Sequence, residues 1–237
     1  MVQRGLAETR ERAQRLIMAG QVRSGTLKLV KAATALEESA DLAVIQPERF
    51  VSRGGLKLQA ALDSFAINLT GRDCLDIGAS TGGFTDCMLQ AGAASVLAVD
   101  VGRAQLHQRL REDPRVTLRE GINARDLPPL PPQLTFFVAD VSFISLRRLL
   151  PSCAARLVPL TEGVLLLKPQ FEAGPADVPR GGVIRDIRVR QRVLTEFVAF
   201  ATESGWTVDR ALECPVHGGD GNVEHLLHVH SPGAAAC

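Results

Sequence analysis

The sequence predicts an α/β fold, a Rossmann-like sheet of seven strands preceded by a small α+β module. Three observations predict it. After Arg53, short apolar runs alternate with helix-length segments, the pattern of β-α-β units around a parallel sheet. The first of those runs ends in a glycine-rich turn, Gly78-Ala79-Ser80-Thr81-Gly82-Gly83. Ahead of Arg53 the pattern differs. Residues 1–31 hold seven basic and two acidic side chains and residues 51–237 nineteen and twenty, so the positive charge of a nearly neutral chain is gathered at its front.

Length and composition bound the classes. At 237 residues the chain exceeds a typical domain of about 150, which suits one full domain plus a small module. Its 46% hydrophobic and 22% charged residues exclude disorder and fibres. No window approaches about 18 consecutive apolar residues, and Met1-Val2-Gln3-Arg4-Gly5 lacks a secretory h-region. A cytoplasmic protein without a membrane span is expected. Cys74, Cys87, Cys153, Cys214 and Cys237 are scattered and never form a C-x-x-C pair, which argues against a disulfide framework and a cysteine zinc site.

In chain order, residues 7–19 read as an amphipathic helix, with Ala13, Leu16 and Ile17 on one side, Arg12 and Arg15 three apart on another, and Gly20 as its stop. An extended stretch starts at Gln21-Val22-Arg23. The basic set Arg4, Arg10, Arg12, Arg15, Arg23 and Lys28 reads either as a solvated face or as phosphate contacts. The acidic stretch 38–50, ending in Gln46-Pro47-Glu48, reads as a linker. The expected divisions are a module at 1–46, a linker at 47–52, the main domain at 53–230 and a disordered tail at 231–237. Within the main domain strands are expected at 74–77, 96–99, 116–118, 134–139 and 164–167, and helices at 84–91, 145–157 and 187–204. Two more strands, 206–212 and 223–229, are joined by a glycine-rich turn too short for a helix, so they should form an antiparallel hairpin at one edge.

The sharpest motif is Asp76-Ile77-Gly78-Ala79-Ser80-Thr81-Gly82-Gly83-Phe84, followed by Asp100 at the end of the next strand. Such a turn lets a ligand approach the backbone, and an acid ending the second strand can bond ribose hydroxyls. Ser80 stands where a dinucleotide fingerprint needs its second glycine, and Asp76 should project a carboxylate suited to an ammonium. Together these favour S-adenosylmethionine over a nicotinamide dinucleotide. A competing reading takes Gly78-Ala79-Ser80-Thr81-Gly82 as the G-x-S-x-G elbow of an α/β-hydrolase, with Ser80 as nucleophile and Asp140 and His217 following in triad order. Against it, a hydrolase has no evident use for Asp76 and Asp100.

Of nineteen basic residues after position 50, only Lys57 and Lys168 are lysine, which marks them as places where a compact ammonium, or an amine able to lose its proton, is needed. Lys168 and Asp140 end predicted strands, the edge where open α/β sheets place ligands. His225, His228 and His230 lie on the last strand beside Glu224. Alternation puts Glu224, His228 and His230 on one face, but same-face residues lie roughly 6.5–7 Å apart, which does not suit three ligands of one ion. No metal is expected.

The segments FVSRGGLKL, CLDIGASTGGFTDCMLQ, AVDVG, DPRV, NAR, DVSFISL, LLLKPQFEAG, GGVIRD and GNVEHLLHV run in order through residues 50–230. In them the chain resembles the TlyA-type ribosomal RNA 2'-O-methyltransferases, also labelled haemolysin A, of the FtsJ-like group. The resemblance implies a Rossmann-like methyltransferase sheet and a Lys-Asp-Lys-Glu tetrad falling on Lys57, Asp140, Lys168 and Glu224. It also implies S-adenosylmethionine held by the turn residues Asp76 to Phe84 with Asp100, Asn123 and Asp140, and a cytidine ribose of ribosomal RNA or a ribosomal subunit as target, with Arg53 among the RNA contacts. The stretch RGLAETRERAQRLIMAGQV resembles a small RNA-binding module shared with a ribosomal protein, tyrosyl-tRNA synthetases and pseudouridine synthases, although only Val2-Gln3-Arg4 match its first helix. The haemolysin label carries an alternative of another class, a membrane-acting protein. That needs a spanning or strongly amphipathic segment, and none is evident.

Overall fold

The computed structural model describes residues 1–37, 39–45 and 49–233, and the chain divides into two compact units, Met1–Arg49 and Phe50–Cys237. Of the expected linker and tail, residues 47, 48 and 234–237 lie outside the described residues.

In the first unit a 3-10 turn, Val2–Arg4, precedes helix α1, Arg10–Met18. The helix begins three residues later than its apolar pattern, because the Thr9 hydroxyl accepts the Arg12 N–H and caps it. Strands β1 (Val22–Ser24), β2 (Leu27–Leu29) and β3 (Leu42–Val44) form an antiparallel sheet of order β2-β1-β3. Leu16, Val22 and Leu29 make its small core. Val22 pairs with Leu29, and the next pair along, Arg23 with Lys28, is exposed.

The second unit opens with helix α2, Gly54–Phe65, which the sequence reading passed over. Its Gly54-Gly55 start looks like a loop. Gly55 is there for space, since a Cβ would lie 2.2 Å from the Phe50 ring. Phe50 is buried in the core, and the Val51 N–H donates to Asp86, so residues 50–52 belong to this unit and not to a linker. The order continues β4 (Asp73–Ile77), α3 (Gly83–Gln90), β5 (Ser95–Asp100), α4 (Gln108–Arg111), β6 (Val116–Glu120) and a 3-10 turn, Ala124–Asp126. Then come β7 (Leu134–Ala139), α5 (Leu146–Ala154), β8 (Glu162–Leu167), α6 (Pro169–Glu172), α7 (Ile187–Glu203), β9 (Thr207–Glu213) and β10 (His225–His230). The sheet order is β6-β5-β4-β7-β8-β10-β9. The β4–β8 strands are parallel, and β10 pairs antiparallel with both β8 and β9. The hairpin expected at the edge is therefore present, with β10 inside and β9 outside.

Both faces of the central strands β4, β5, β7 and β8 are covered, which is why these read as nearly continuous apolar runs. Cys74, Phe136 and Leu166 pack under α2 and α3, and their neighbours Leu75, Phe137 and Leu167 pack under α5 and α7. Each fully buried side chain of this size contributes about 1.5–3 kcal/mol. The chain winds outward from β4 through β5 to β6, then crosses back to β7 and β8. The crevice between the carboxyl ends of β4 and β7 is thus the switch point where open α/β sheets bind ligands. At the far end Ser231 is buried, accepting the Thr161 N–H and donating to Val158 O. The tail is consequently fixed at least through its first residue, where disorder was expected.

Candidate active site

Two adjoining hollows open at that switch point. The larger, about 830 Å³, is lined by Gly78, Ser80, Asp100, Asn123, Asp140 and Phe143 among others. The smaller, about 260 Å³, is lined by Arg53, Lys57, the turn residues Gly78 to Thr81, Gly83 and Phe84, then Asp140, Ser142, Lys168 and His217. Gly78, Ser80, Asp140 and Ser142 belong to both, so Asp140 stands at their junction.

The turn after β4 is built by close backbone approach. Gly78 has φ +88° and its position leaves no room for a Cβ, which would lie 2.3 Å from the Asp140 carbonyl. The β4 and β7 loops are thereby held against each other. Ser80 is left-handed too, at φ +48°, and its N–H donates to Asp100 Oδ2 at 2.7 Å, while Gly102 N–H donates to Oδ1 at 2.6 Å. Asp100 is fixed by these bonds, and each of its oxygens keeps a second lone pair toward the larger hollow. Asn123 caps the 3-10 turn by accepting the Arg125 N–H, and its amide NH2 remains for a ligand.

Two expected contacts are corrected. Asp76 does not project into either hollow. As the fourth residue of a strand covered on both faces it points under α3, fully buried, where Thr85 Oγ1 donates to its Oδ2 at 2.6 Å. Burial pushes its carboxyl up to about 7, against the Thr85 hydrogen bond and with help from the Asp140 charge. Its Oδ1 has no hydrogen-bond partner among the described residues. Gly82 likewise faces away from the hollows, for at φ +97° a Cβ there would meet Leu110 and Leu106 at 2.3 and 2.7 Å. It serves packing, not ligand contact.

The two solitary lysines converge. Lys57, on the first turn of α2, lies 2.5 Å from Glu224 Oε2. Lys168, just past β8, lies 2.5 Å from Asp140 Oδ1 and donates to Ser142 Oγ at 3.0 Å. All four side chains are at least three-quarters buried. Lys57, Asp140 and Lys168 face the smaller hollow, and Glu224 holds Lys57 from behind it. Cys214 lies in the charge field of Lys57, Glu224 and Asp140 together, with burial raising its thiol pKa most.

The hydrolase arrangement is absent. Ser80, His217 and Asp140 line one hollow, yet no hydrogen bond joins them among the described residues, and Asp140 is engaged by Lys168. Two residues escaped the sequence reading. Ser142 is the second partner of Lys168. Glu172, its side chain 1% exposed, accepts from Ser145 Oγ at 2.7 Å and Leu146 N–H at 2.6 Å, tying the 141–145 loop to the helix after Lys168. Its position four residues beyond Lys168 was the available signal. In that loop Phe143 is 91% exposed with φ +63°, its ring 5.4 Å from that of Phe171.

The sequence-expected RNA contacts divide between the units. Arg10, Arg12, Arg15, Arg23 and Lys28 are exposed on the first unit, where Arg4 donates to the Ala40 carbonyl. Arg53 is exposed at the smaller hollow of the second. No helix among the described residues is long and apolar enough to cross a membrane.

Comparison with known proteins agrees with this geometry. A "16S/23S rRNA (cytidine-2'-O)-methyltransferase TlyA" of Mycobacterium tuberculosis is 47% identical over 98% of this chain and 88% of its own length. "Hemolysin A" of Brachyspira hyodysenteriae is 40% identical over 94% of this chain and 95% of its own. A solved candidate hemolysin from Streptococcus thermophilus is 42% identical with TM-score 0.75, covering 98% of this chain and 87% of that one. At the level of fold alone, an S-adenosylmethionine-dependent methyltransferase from Mesorhizobium loti aligns with TM-score 0.54 at 16% identity, over 73% of this chain and 97% of its own. The FtsJ-like methyltransferase family matches residues 50–230, nearly all of the second unit. With the Rossmann-like sheet, the turn after β4 and the paired lysines all inside that span, the chain belongs to the FtsJ-like methyltransferase family.

Proposed function

We propose that this chain is an S-adenosylmethionine-dependent 2'-O-methyltransferase of ribosomal RNA, with a cytidine ribose as target and the cytoplasm as its place of action. The observation that carries the reading is the meeting of two lysine–carboxylate pairs, Lys168–Asp140 and Lys57–Glu224, beside a nucleoside-sized cleft. The relatives named for this activity support it across nearly the whole chain.

The residues fit the cofactor. Asp100 and Asn123 offer hydrogen bonds along the larger hollow. S-adenosylmethionine supplies, when bound, an electrophilic methyl group on a sulfonium. The chain's own residues act on the ribose. A hydroxyl is a poor nucleophile until its proton is drawn away, and we assign that proton to Lys168 Nζ, acting as a neutral amine at the moment of transfer. Asp140 and Ser142 fix the direction of Nζ. Lys57, held by Glu224, adds positive charge in the same hollow, where negative charge develops on the ribose oxygen.

The first unit is assigned to RNA docking through Arg4, Arg10, Arg12, Arg15, Arg23 and Lys28, with Arg53 contacting the RNA at the site itself. Arg23 and Lys28 stand directly opposite each other on paired strands, an unfavourable placement that a phosphate between them relieves. Phe143 offers an exposed ring for a base to stack on. Labelled methyl transfer to intact subunits and to naked ribosomal RNA, with the modified position mapped, tests the proposal. Label on a ribose 2'-oxygen that disappears with Asp140→Asn is the expected result. RNA left unlabelled by either substrate overturns it.

A further inference from the structure

A second cluster lies at the opposite end of the sheet. Glu162 is the first residue of β8, and His230, the last of β10, is its direct partner across the antiparallel ladder. His228 stands two residues back on the same face. One candidate ligand atom from each of the three lies within 4.8 Å of the others. His228 Nε2 is 2.8 Å from Glu162 Oε1.

The edge strand adds a fourth group. The β9–β10 register skips one residue, pairing His228 with Arg210 and Val229 with Val208, so Asp209 is the extra residue of a β-bulge. Bulges re-aim side chains, and this one turns Asp209 toward both imidazoles. Its Oδ2 lies 2.8 Å from His230 Nδ1 and 3.8 Å from His228 Nδ1. Metal-ligating histidines turn one nitrogen to a carboxylate in this way and bind through the other.

We infer that Glu162, His228 and His230 form a binding site for a divalent transition metal of the zinc class, with Asp209 orienting the two rings. Two imidazoles and one carboxylate are a nitrogen–oxygen set suited to such an ion, and three protein ligands leave a position for water. Donor atoms around a tetrahedral zinc ion lie roughly 3.3 Å apart, given bonds of about 2.0–2.2 Å, so small side-chain rotations close the site. Glu162 Oε1 is the oxygen that faces His228 Nε2. Arg72 takes the other oxygen, Oε2, leaving Oε1 for the ion. The Phe65 ring stacks on His228 at 5.3 Å and fixes its plane.

The strand taken alone conceals this site, because the third ligand comes from β8. Six residues separate Glu162 from Lys168, about 20 Å along a strand, so the ion sits far from the reacting groups. It would pin the sheet edge, linking β8 and β10 directly and β9 through Asp209.

The full chain, stripped with EDTA, is titrated with Co2+ and with Zn2+. Saturable one-to-one binding is expected, with cobalt d–d bands lacking a thiolate charge-transfer band, and with a thermal midpoint that rises with metal and falls back on chelation. His230→Asn and Glu162→Gln should each weaken binding by at least about tenfold, and Asp209→Asn by about tenfold. His230 is partly exposed, so its variant gives a reading even if loss of the Arg72 partner unfolds Glu162→Gln. Absence of saturable binding overturns the inference, and so does binding left unchanged by His230→Asn.

Discussion

Lys57 and Glu224 stand 167 positions apart in the chain, and their Nζ and Oε2 atoms meet at 2.5 Å with little solvent access. The pair joins the start of α2 to the entry of β10, so it is structural as well as electrostatic. Removing one partner of a buried pair leaves an uncompensated charge, at a cost of about 3–5 kcal/mol. Glu224→Ala should approach that loss in urea unfolding, whereas the apolar double variant Lys57→Met, Glu224→Leu should recover most of it. Neither should recover methyl transfer. A loss under about 1 kcal/mol, the range of a surface pair, would count against burial of the pair.

Asp76 sets a pH dependence. Its folded pKa of about 7 lies above the ordinary 3.8, so between those values the folded state holds a proton that the unfolded chain has released. Stability therefore falls as pH rises through this window. The contribution is whole below about 4 and lost above about 7, with a slope of at most about 1.4 kcal/mol per pH unit. Asp76→Asn keeps an acceptor for Thr85 and should remove that slope. The difference between wild type and variant, taken from urea midpoints at pH 5 and pH 8, separates Asp76 from Glu172, whose carboxyl burial also raises. Identical slopes in the two proteins would reject the assignment.

Asp100 makes a plainer case. It holds Ser80 and Gly102 by their N–H groups and faces the larger hollow. Asp100→Ala should weaken S-adenosylmethionine binding in calorimetry, while Asp63→Ala, whose partner is Gln59 on the exposed side of α2, should not. Equal affinities in the two variants would remove Asp100 from the cofactor site.

These residues also mark how much was legible in the sequence. The parallel strands β4, β5, β7 and β8 were readable because each is a mostly apolar run, and the paucity of lysine singled out Lys57 and Lys168. Helix α2 was not readable. Its opening glycines exist so that Phe50 and the α3 start can come close, a requirement of tertiary packing that overrides helix propensity. Alternation along β4 decides where Asp76 points, and the covering of both faces turns that direction into burial. Glu162 and Asp209 were invisible beside the histidines because strand register and a bulge, not spacing along one strand, bring them together.

The front module supplies a test by salt. Arg12 and Arg15 are exposed on α1, and each phosphate contact contributes nearly one unit to the log-log dependence of RNA affinity on salt. Neutralising both should weaken RNA binding and flatten the slope by about one to two units, leaving cofactor affinity unchanged. A slope equal to that of wild type would return the pair to a solvated face.

The division of labour at the tetrad turns on Lys168. Methyl transfer from a sulfonium is an in-line displacement, so the ribose oxygen must be oriented as well as deprotonated. Two roles suit a lysine there. It can accept the hydroxyl proton, which requires a neutral amine at the moment of transfer, or it can stay an ammonium and stabilise the developing alkoxide. The placement of Nζ between Asp140 Oδ1 and Ser142 Oγ serves either. Arginine keeps the charge but does not lose its proton, so Lys168→Arg separates the roles. With Lys168 as the base, the variant should lose at least about two orders of magnitude in single-turnover rate while cofactor and RNA affinities hold. A rate within about threefold of wild type, less than 1 kcal/mol of barrier, would reject the base and assign charge stabilisation. Lys168→Met separates a third case. It removes both roles, so where Lys168→Arg is slow by about two orders of magnitude, a Lys168→Met rate no lower would mean that the charge contributes nothing and that proton acceptance is the whole of what Lys168 does.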